Sequence, residues 1–211
     1  MSETCIKISS SETLFSSLNE IFDNDIVRNG DTILLESDVE VMEPLVIQKR
    51  RFTIDLNQHT LYMSTTKGLR VKGGANVTFV NGRISTILDN TSEGVLIVQG
   101  SGTVVTIGSD LILNASEAYL NVRKRGHLNI DGAFVISTGS SPTVLVEDSG
   151  SQFSISQGNV LSQSTSAIEV RNSGSVLIRG GKIGSSNADM PLIFSPDLEA
   201  SDVQISGGFL R

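Results

Sequence analysis

The chain has no tryptophan, four prolines, two tyrosines and one cysteine among its 211 residues. A single cysteine, Cys5, excludes an internal disulfide, so whatever holds the fold together is non-covalent. Long apolar runs are missing too. No stretch of about 18 apolar residues exists, which excludes a membrane-spanning helix. The opening "MSETCIKISSSE" lacks the basic and apolar regions of a secretory leader. Positive charge is short: 16 Lys and Arg stand against 23 Asp and Glu, a net charge of −7. That balance argues against a nucleic-acid binder, whose affinity rests on neutralising phosphates. The one basic run, Arg123, Lys124 and Arg125, reads as a solvated turn. What the chain does have is glycine, 20 in all, together with abundant Val, Ile, Thr and Ser. This composition favours strands and tight turns over helices.

The residues repeat. Residues 169–183 read "EVRNSGSVLIRGGKI", and residues 121–135, 48 positions earlier, read "NVRKRGHLNIDGAFV". Three apolar series run through the chain. The first is Ile47, Val71, Val98, Val122, Val146, Val170 and Phe194, mostly at steps of 24. The second is Ile54, Phe79, Ile107, Ile130, Ile155, Ile178 and Ile205, each with an apolar partner two residues before it. The third, looser, is Leu61, Ile84, Leu111, Phe134, Val160, Ile183 and Phe209. Each unit thus carries three short alternating strands, with one face buried and one wet. Three strands and three corners in about 24 residues make one coil of a solenoid, stacked on the next at about 4.8 Å. Gly126, Gly150 and Gly174 recur at one corner, and Gly82, Gly132, Gly158 and Gly181 at another. The expectation is that these corners need positive φ. A sandwich of antiparallel strands has no reason to hold this register, and the leucine-rich-repeat pattern is absent.

The predicted fold is all-β: a single-stranded right-handed parallel β-helix of about seven coils, occupying residues 31–211 as one domain. Residues 1–30 are predicted to supply a strand and an amphipathic capping helix. "SSETLFSSLNEIFDN" (9–24) places Leu14, Leu18, Ile21 and Phe22 on one face behind N-cap residues. This helix is followed by "GDTI", "PLVI" and "TIDL". The order resembles the N-terminal cap of right-handed parallel β-helices of the pectate-lyase-like superfamily. The resemblance implies the architecture and not one activity, because that fold serves lyases, hydrolases, phage tailspikes and adhesins. At the other end, "DVQISGGFLR" leaves apolar residues in the last coil. The expectation is that a second subunit or a partner protein covers it.

Enzymes of the superfamily gather carboxylates or bases on adjacent coils. The outward positions after the second series are Val80, Gly108, Asp131, Ser156, Arg179 and Ser206. Only Asp131 and Arg179 are candidates for catalysis, two coils apart, and His127 and His59 stand out of register with Asp131. The outward positions after the first series are Lys72, Gln99, Arg123, Glu147, Arg171 and Ser195. Arg123, Glu147 and Arg171 alternate in sign and read as a ladder that sets register. The neighbouring outward column holds Arg70, Ile97, Asn121, Leu145, Glu169 and Ile193. Ile97, Leu145 and Ile193, with Tyr119 beside them, are the candidate contact face; the connection at 86–93 is one possible cover. Apolar residues clustered on a wet face mark contact surfaces. Tyr62 and Tyr119 are the aromatic candidates for a saccharide platform. No phosphate loop, zinc spacing or nucleophile elbow occurs, so no cofactor or metal is expected. The functional expectation is a rigid, non-catalytic structural or binding module of a larger assembly, such as a phage virion surface or tail component. A virion or extracellular setting follows, with a homo-oligomer or partner protein and a surface polysaccharide as candidate partners. The alternatives are a polysaccharide lyase or hydrolase using Asp131 and Arg179, and a cell-surface adhesin.

Overall fold

A strand that buries one face must still satisfy the hydrogen bonds of its two edges, and here each coil satisfies them on the coils before and after it. The computed structural model describes residues 5–8, 27–86, 94–115, 119–196 and 202–211. The helix expected over 9–24 and the connection after Thr86 lie outside the described residues. Every regular element among the described residues is a strand, and every strand pairing is parallel, giving a β-solenoid of about seven turns.

Three faces result. Sheet 1 stacks, among others, Thr32–Leu35, Arg51–Asp55, Asn76–Val80, Val104–Ile107, Ser175–Ile178 and Asp202–Ile205. Sheet 2 stacks Val39–Val41, Thr60–Met63, Gly82–Thr86, Leu111–Ala115, Lys182–Ser185 and Phe209–Leu210. The long strands His127–Ser137 and Gln152–Ser162 turn the corner and belong to both. Sheet 3 stacks Leu45–Gln48, Leu69–Lys72, Leu96–Gln99, Leu120–Arg123, Val144–Glu147, Ile168–Arg171 and Ile193–Phe194.

The second apolar series runs in unbroken register from Ile54 through Phe79, Ile107, Ile130, Ile155 and Ile178 to Ile205. The first series holds from Ile47 to Val170 and then slips. Ile193, not Phe194, pairs with inward Ile168, while Phe194 pairs with outward Glu169. The turn before Ile193 takes up one extra residue: Asn187 and Asp189 form successive side-chain-capped turns, and the Leu192 carbonyl accepts from the Ile168 N–H. Ile193 therefore packs against the core, and Phe194 is 41% exposed.

The third series is corrected at two positions. Val135 and Leu210 occupy the inward column where Phe134 and Phe209 face out, and Leu113 stands in it where Leu111, buried too, comes two residues earlier. The cause is a bend between sheets 1 and 2 where one residue per coil is left-handed: Asn81, Asp110, Gly132, Gly158, Gly181 and Gly208. In the strand His127–Ser137, Asp131 and Gly132 both face out, so the alternation restarts with Ala133 and Val135 inside. Counting by twos from Ile130 then lands on Phe134, which is outside.

The corner after sheet 3 is built differently. Gly73 and Gly74, Lys124 and Arg125, and Asn172 and Ser173 have positive φ at both central positions, as in type I′ turns. Gly126 and Gly174, at this corner, do not have positive φ; they are needed for close approach. A Cβ on Gly126 would sit 2.4 Å from the Val98 carbonyl oxygen, and one on Gly174 2.9 Å from that of Val146. Gly150 does have positive φ.

Two neighbouring substitutions at the turn 123–126 should therefore act with opposite signs. Arg125→Gly relieves a left-handed side-chain residue that costs about 1–2 kcal/mol, less the ~0.5–1 kcal/mol of added chain entropy. Its expected effect is a gain of up to about 1 kcal/mol. Gly126→Ala forces the coils apart and should cost about 1–3 kcal/mol. Urea unfolding midpoints of the two variants check this; a stabilised Gly126→Ala would refute the close-approach argument.

Candidate functional site

Alternation in a solenoid delivers side chains to three outer faces, and each candidate residue can now be placed on one. On sheet 1, Asp131 and Arg179 are both exposed and do not meet. A shift of register pairs Asp131 with Gln157 and leaves Ser156 as the extra residue. Ser156 Oγ donates to Asp131 Oδ1 at 2.7 Å, and Gln157 Nε2 lies 3.5 Å from the same oxygen. The Arg179 N–H donates to the Ile155 carbonyl, which puts Arg179 beside Ser156 and one coil further from Asp131. His59 is elsewhere, on Asp38 at 3.7 Å. Among the described residues no three of His, Cys, Asp and Glu are grouped as metal ligands would be.

On sheet 3, Arg70, Ile97, Asn121, Leu145 and Glu169 form one outward column. The column is less wet than its sequence suggests. Ile97 is 0% exposed, Asn121 2% and Leu145 5%, so the chain itself covers them and they offer no free contact face. Ile193 has left this column for the core, and Phe194 has taken its place. Tyr119 lies on the same face. Its phenol is pushed above its ordinary value, first by burial and then by the Glu147 carboxylate. The Asn121 amide and the Arg123 and Arg171 guanidiniums act against that shift. The Asn121 Oδ1 is buried without a partner. The ladder Arg123, Glu147, Arg171 keeps its register where Glu147 meets Arg171. Its bonds, however, run elsewhere: Arg171 Nε donates to Glu169 Oε1 at 2.6 Å, on its own strand, and Arg123 Nε donates to Gln99 Oε1 at 3.2 Å. The Glu169 bond holds the Arg171 guanidinium above its ordinary value.

Sheet 2 carries the surface that counting by twos misses. Two outward columns run along it, parallel to the solenoid axis. One is Thr60, Arg83, Ile112, Phe134, Asn159, Lys182 and Phe209. The other is Glu40, Tyr62, Ser85, Asn114, Ile136, Leu161 and Gly184. Ile112 is 38% exposed and Phe134 36%, on adjacent coils. Half-buried Ile136 and Leu161 extend the apolar area. Beside them lies a depression of about 370 Å³, lined by Ile136, Leu161, Gly184, Gln163, Lys182 and Arg211 among others. Gly184 keeps it open, because a Cβ there would come 2.9 Å from Leu161 Cδ2. The signal was in the sequence: Gly132 before "AFVI" resets the alternation and turns Phe134 outward.

The chain matches no family model, no curated protein and no solved structure.

Tyr119 gives a pH test of the sheet 3 surface. A raised phenol favours the neutral form in the fold. Its contribution to stability is complete below the ordinary phenol value of about 10 and is lost as pH rises through the folded value. The unfolding midpoint should fall in alkali, and fall less steeply in Tyr119→Phe. Equal slopes for the two proteins would show that burial does not act on this phenol.

Proposed function

We propose that the protein is a rigid structural or binding module of a larger assembly that works by contact through the outer face of sheet 2. One observation carries this reading: Ile112 and Phe134 are exposed side by side on adjacent coils, with Ile136 and Leu161 continuing the patch. Apolar side chains gathered on an outer strand face, where alternation would otherwise place polar ones, mark a contact surface. The scaffold suits such a role. Each internal coil is hydrogen-bonded on both sides, so side chains on the face keep fixed spacing, and a partner meets a surface already in its bound shape. Within this reading, a virion surface or tail is the assembly proposed, one of several settings that the β-helix architecture serves.

The reading makes a claim about what the patch does not do. If Ile112 and Phe134 serve a partner, they do not serve the fold. Ile112→Ser with Phe134→Ser should cost no more than about 1–2 kcal/mol, the partial burial and strand preference of two side chains that are about one third exposed. A loss of several kcal/mol would assign the patch to folding and end the proposal.

The polysaccharide lyase or hydrolase remains the second reading, favoured only by the shared face of Asp131 and Arg179. Incubation with anionic and neutral polysaccharides, followed by an assay for new reducing ends, decides it. No cleavage is expected; cleavage lost in Asp131→Ala would establish the enzyme.

A further inference from the structure

We infer that sheet 2 pairs with the same face of a second copy of this chain in antiparallel orientation, about a two-fold axis between Ile112 and Phe134. The inference rests on the contact-surface reading above and names the occupant. The order of side chains along the face carries it. Acids occur at one end of the two columns. Glu40 opens one column, and Asp38 stands beside Thr60, whose N–H its Oδ1 accepts at 2.8 Å. Cations gather at the other end. Lys182 lies five coils past Thr60 in its column, and Arg211 is hydrogen-bonded beside Gly184, with its carbonyl accepting from Ser185 and its N–H donating to Ile183. The apolar residues Ile112, Phe134 and Ile136 occupy the middle.

Arg83 stands between the acids and the apolar middle, and a face that runs from Asp38 and Glu40 through apolar residues to Lys182 and Arg211 is self-complementary only when reversed. Two copies laid parallel set acids against acids and cations against cations, which costs binding energy. Two copies laid antiparallel set Glu40 against Arg211 on the last coil, with Lys182 facing Thr60 one coil inward, beside Asp38. The middle then buries Ile112 of each copy against Phe134 of the other, as the repeated contacts of a two-fold interface require. The shapes agree as well. The first side chains from one end are Glu40 and then Tyr62, and the last positions at the other end are Gly184 and then Arg211. Reversal brings Tyr62 over Gly184, the one position of that column without a side chain, which lines the depression together with Ile136 and Leu161. Arg83 meets the coil of Asn159 and Leu161, where the Asn159 amide oxygen can accept from it. From Asp38 to Phe209 the face spans seven coil steps, about 34 Å at the usual strand spacing. An interface of that length, with an apolar centre and charged ends, has the anatomy of a specific protein contact.

Sedimentation equilibrium of the purified chain over a tenfold concentration range, at low and high salt, tests this. The expected result is a reversible dimer, weakened by salt. Phe134→Ser should abolish the dimer while remaining folded, and Arg211→Glu should weaken it about tenfold, because the symmetric contact with Glu40 is reversed twice. Arg211→Glu combined with Glu40→Arg should restore affinity, since each copy then carries the swapped pair. A monomer at every concentration would overturn the inference. So would an open-ended polymer, a dimer indifferent to Phe134→Ser, or a charge swap that fails to restore binding. A monomer whose serine-substituted patch costs little stability overturns the dimer alone; a patch that proves necessary for folding overturns the contact surface itself.

Discussion

The structure depends on the parallel hydrogen-bonding of each coil to the next. That pairing closes the ladder on both edges of every internal strand and forces residue i of one coil to stand on its equivalent in the next. Once it is imposed, side chains sort into columns, and each inward column must be apolar throughout. The run from Ile54 to Ile205 is such a column: a single polar residue within it would bury a charge or an unpaired donor between two aliphatic neighbours. The same constraint fixes the corners. Because the coils lie one strand spacing apart, a methyl at Gly126 meets the carbonyl of the coil below, so glycine there follows from the pitch of the stack.

The constraint also explains which parts of the fold were legible in the sequence. Spacing alone placed sheet 1 and most of sheet 3, because strands of constant length separated by constant turns keep their phase. Sheet 2 was misread at Phe134 and Phe209. Between sheets 1 and 2 the chain bends through a left-handed residue, and that residue can be Asn, Asp or Gly. Nothing in a hydrophobic pattern distinguishes an inward Phe from an outward Phe when the phase has just been reset. The error had a functional cost, because the face it concealed holds the exposed patch. Ile193 and Phe194 show the same weakness. One extra residue, absorbed in the turn at Asn187, exchanges core and surface between two apolar neighbours.

The candidate surface on sheet 3 is a different case. Ile97 and Leu145 do face outward, as alternation requires, yet the chain buries them. Alternation gives the direction of a side chain and carries no information on what lies over it. The charge ladder is a milder case. Its order was readable, but Arg171 closes on Glu169 within its own strand, where a planar guanidinium finds a better-aligned carboxylate than it does across the ladder.

The left-handed bend between sheets 1 and 2 has a consequence for how such a chain can change over time. It works as a phase shifter. A residue gained or lost upstream of Gly132 within its coil transposes core and surface along the rest of the strand, exposing Val135 and driving Phe134 inward. The same change placed in a long turn between coils leaves every column intact. Length variation is therefore confined to the connections. The outer faces, whose residues never enter the stack, remain open to substitution one coil at a time.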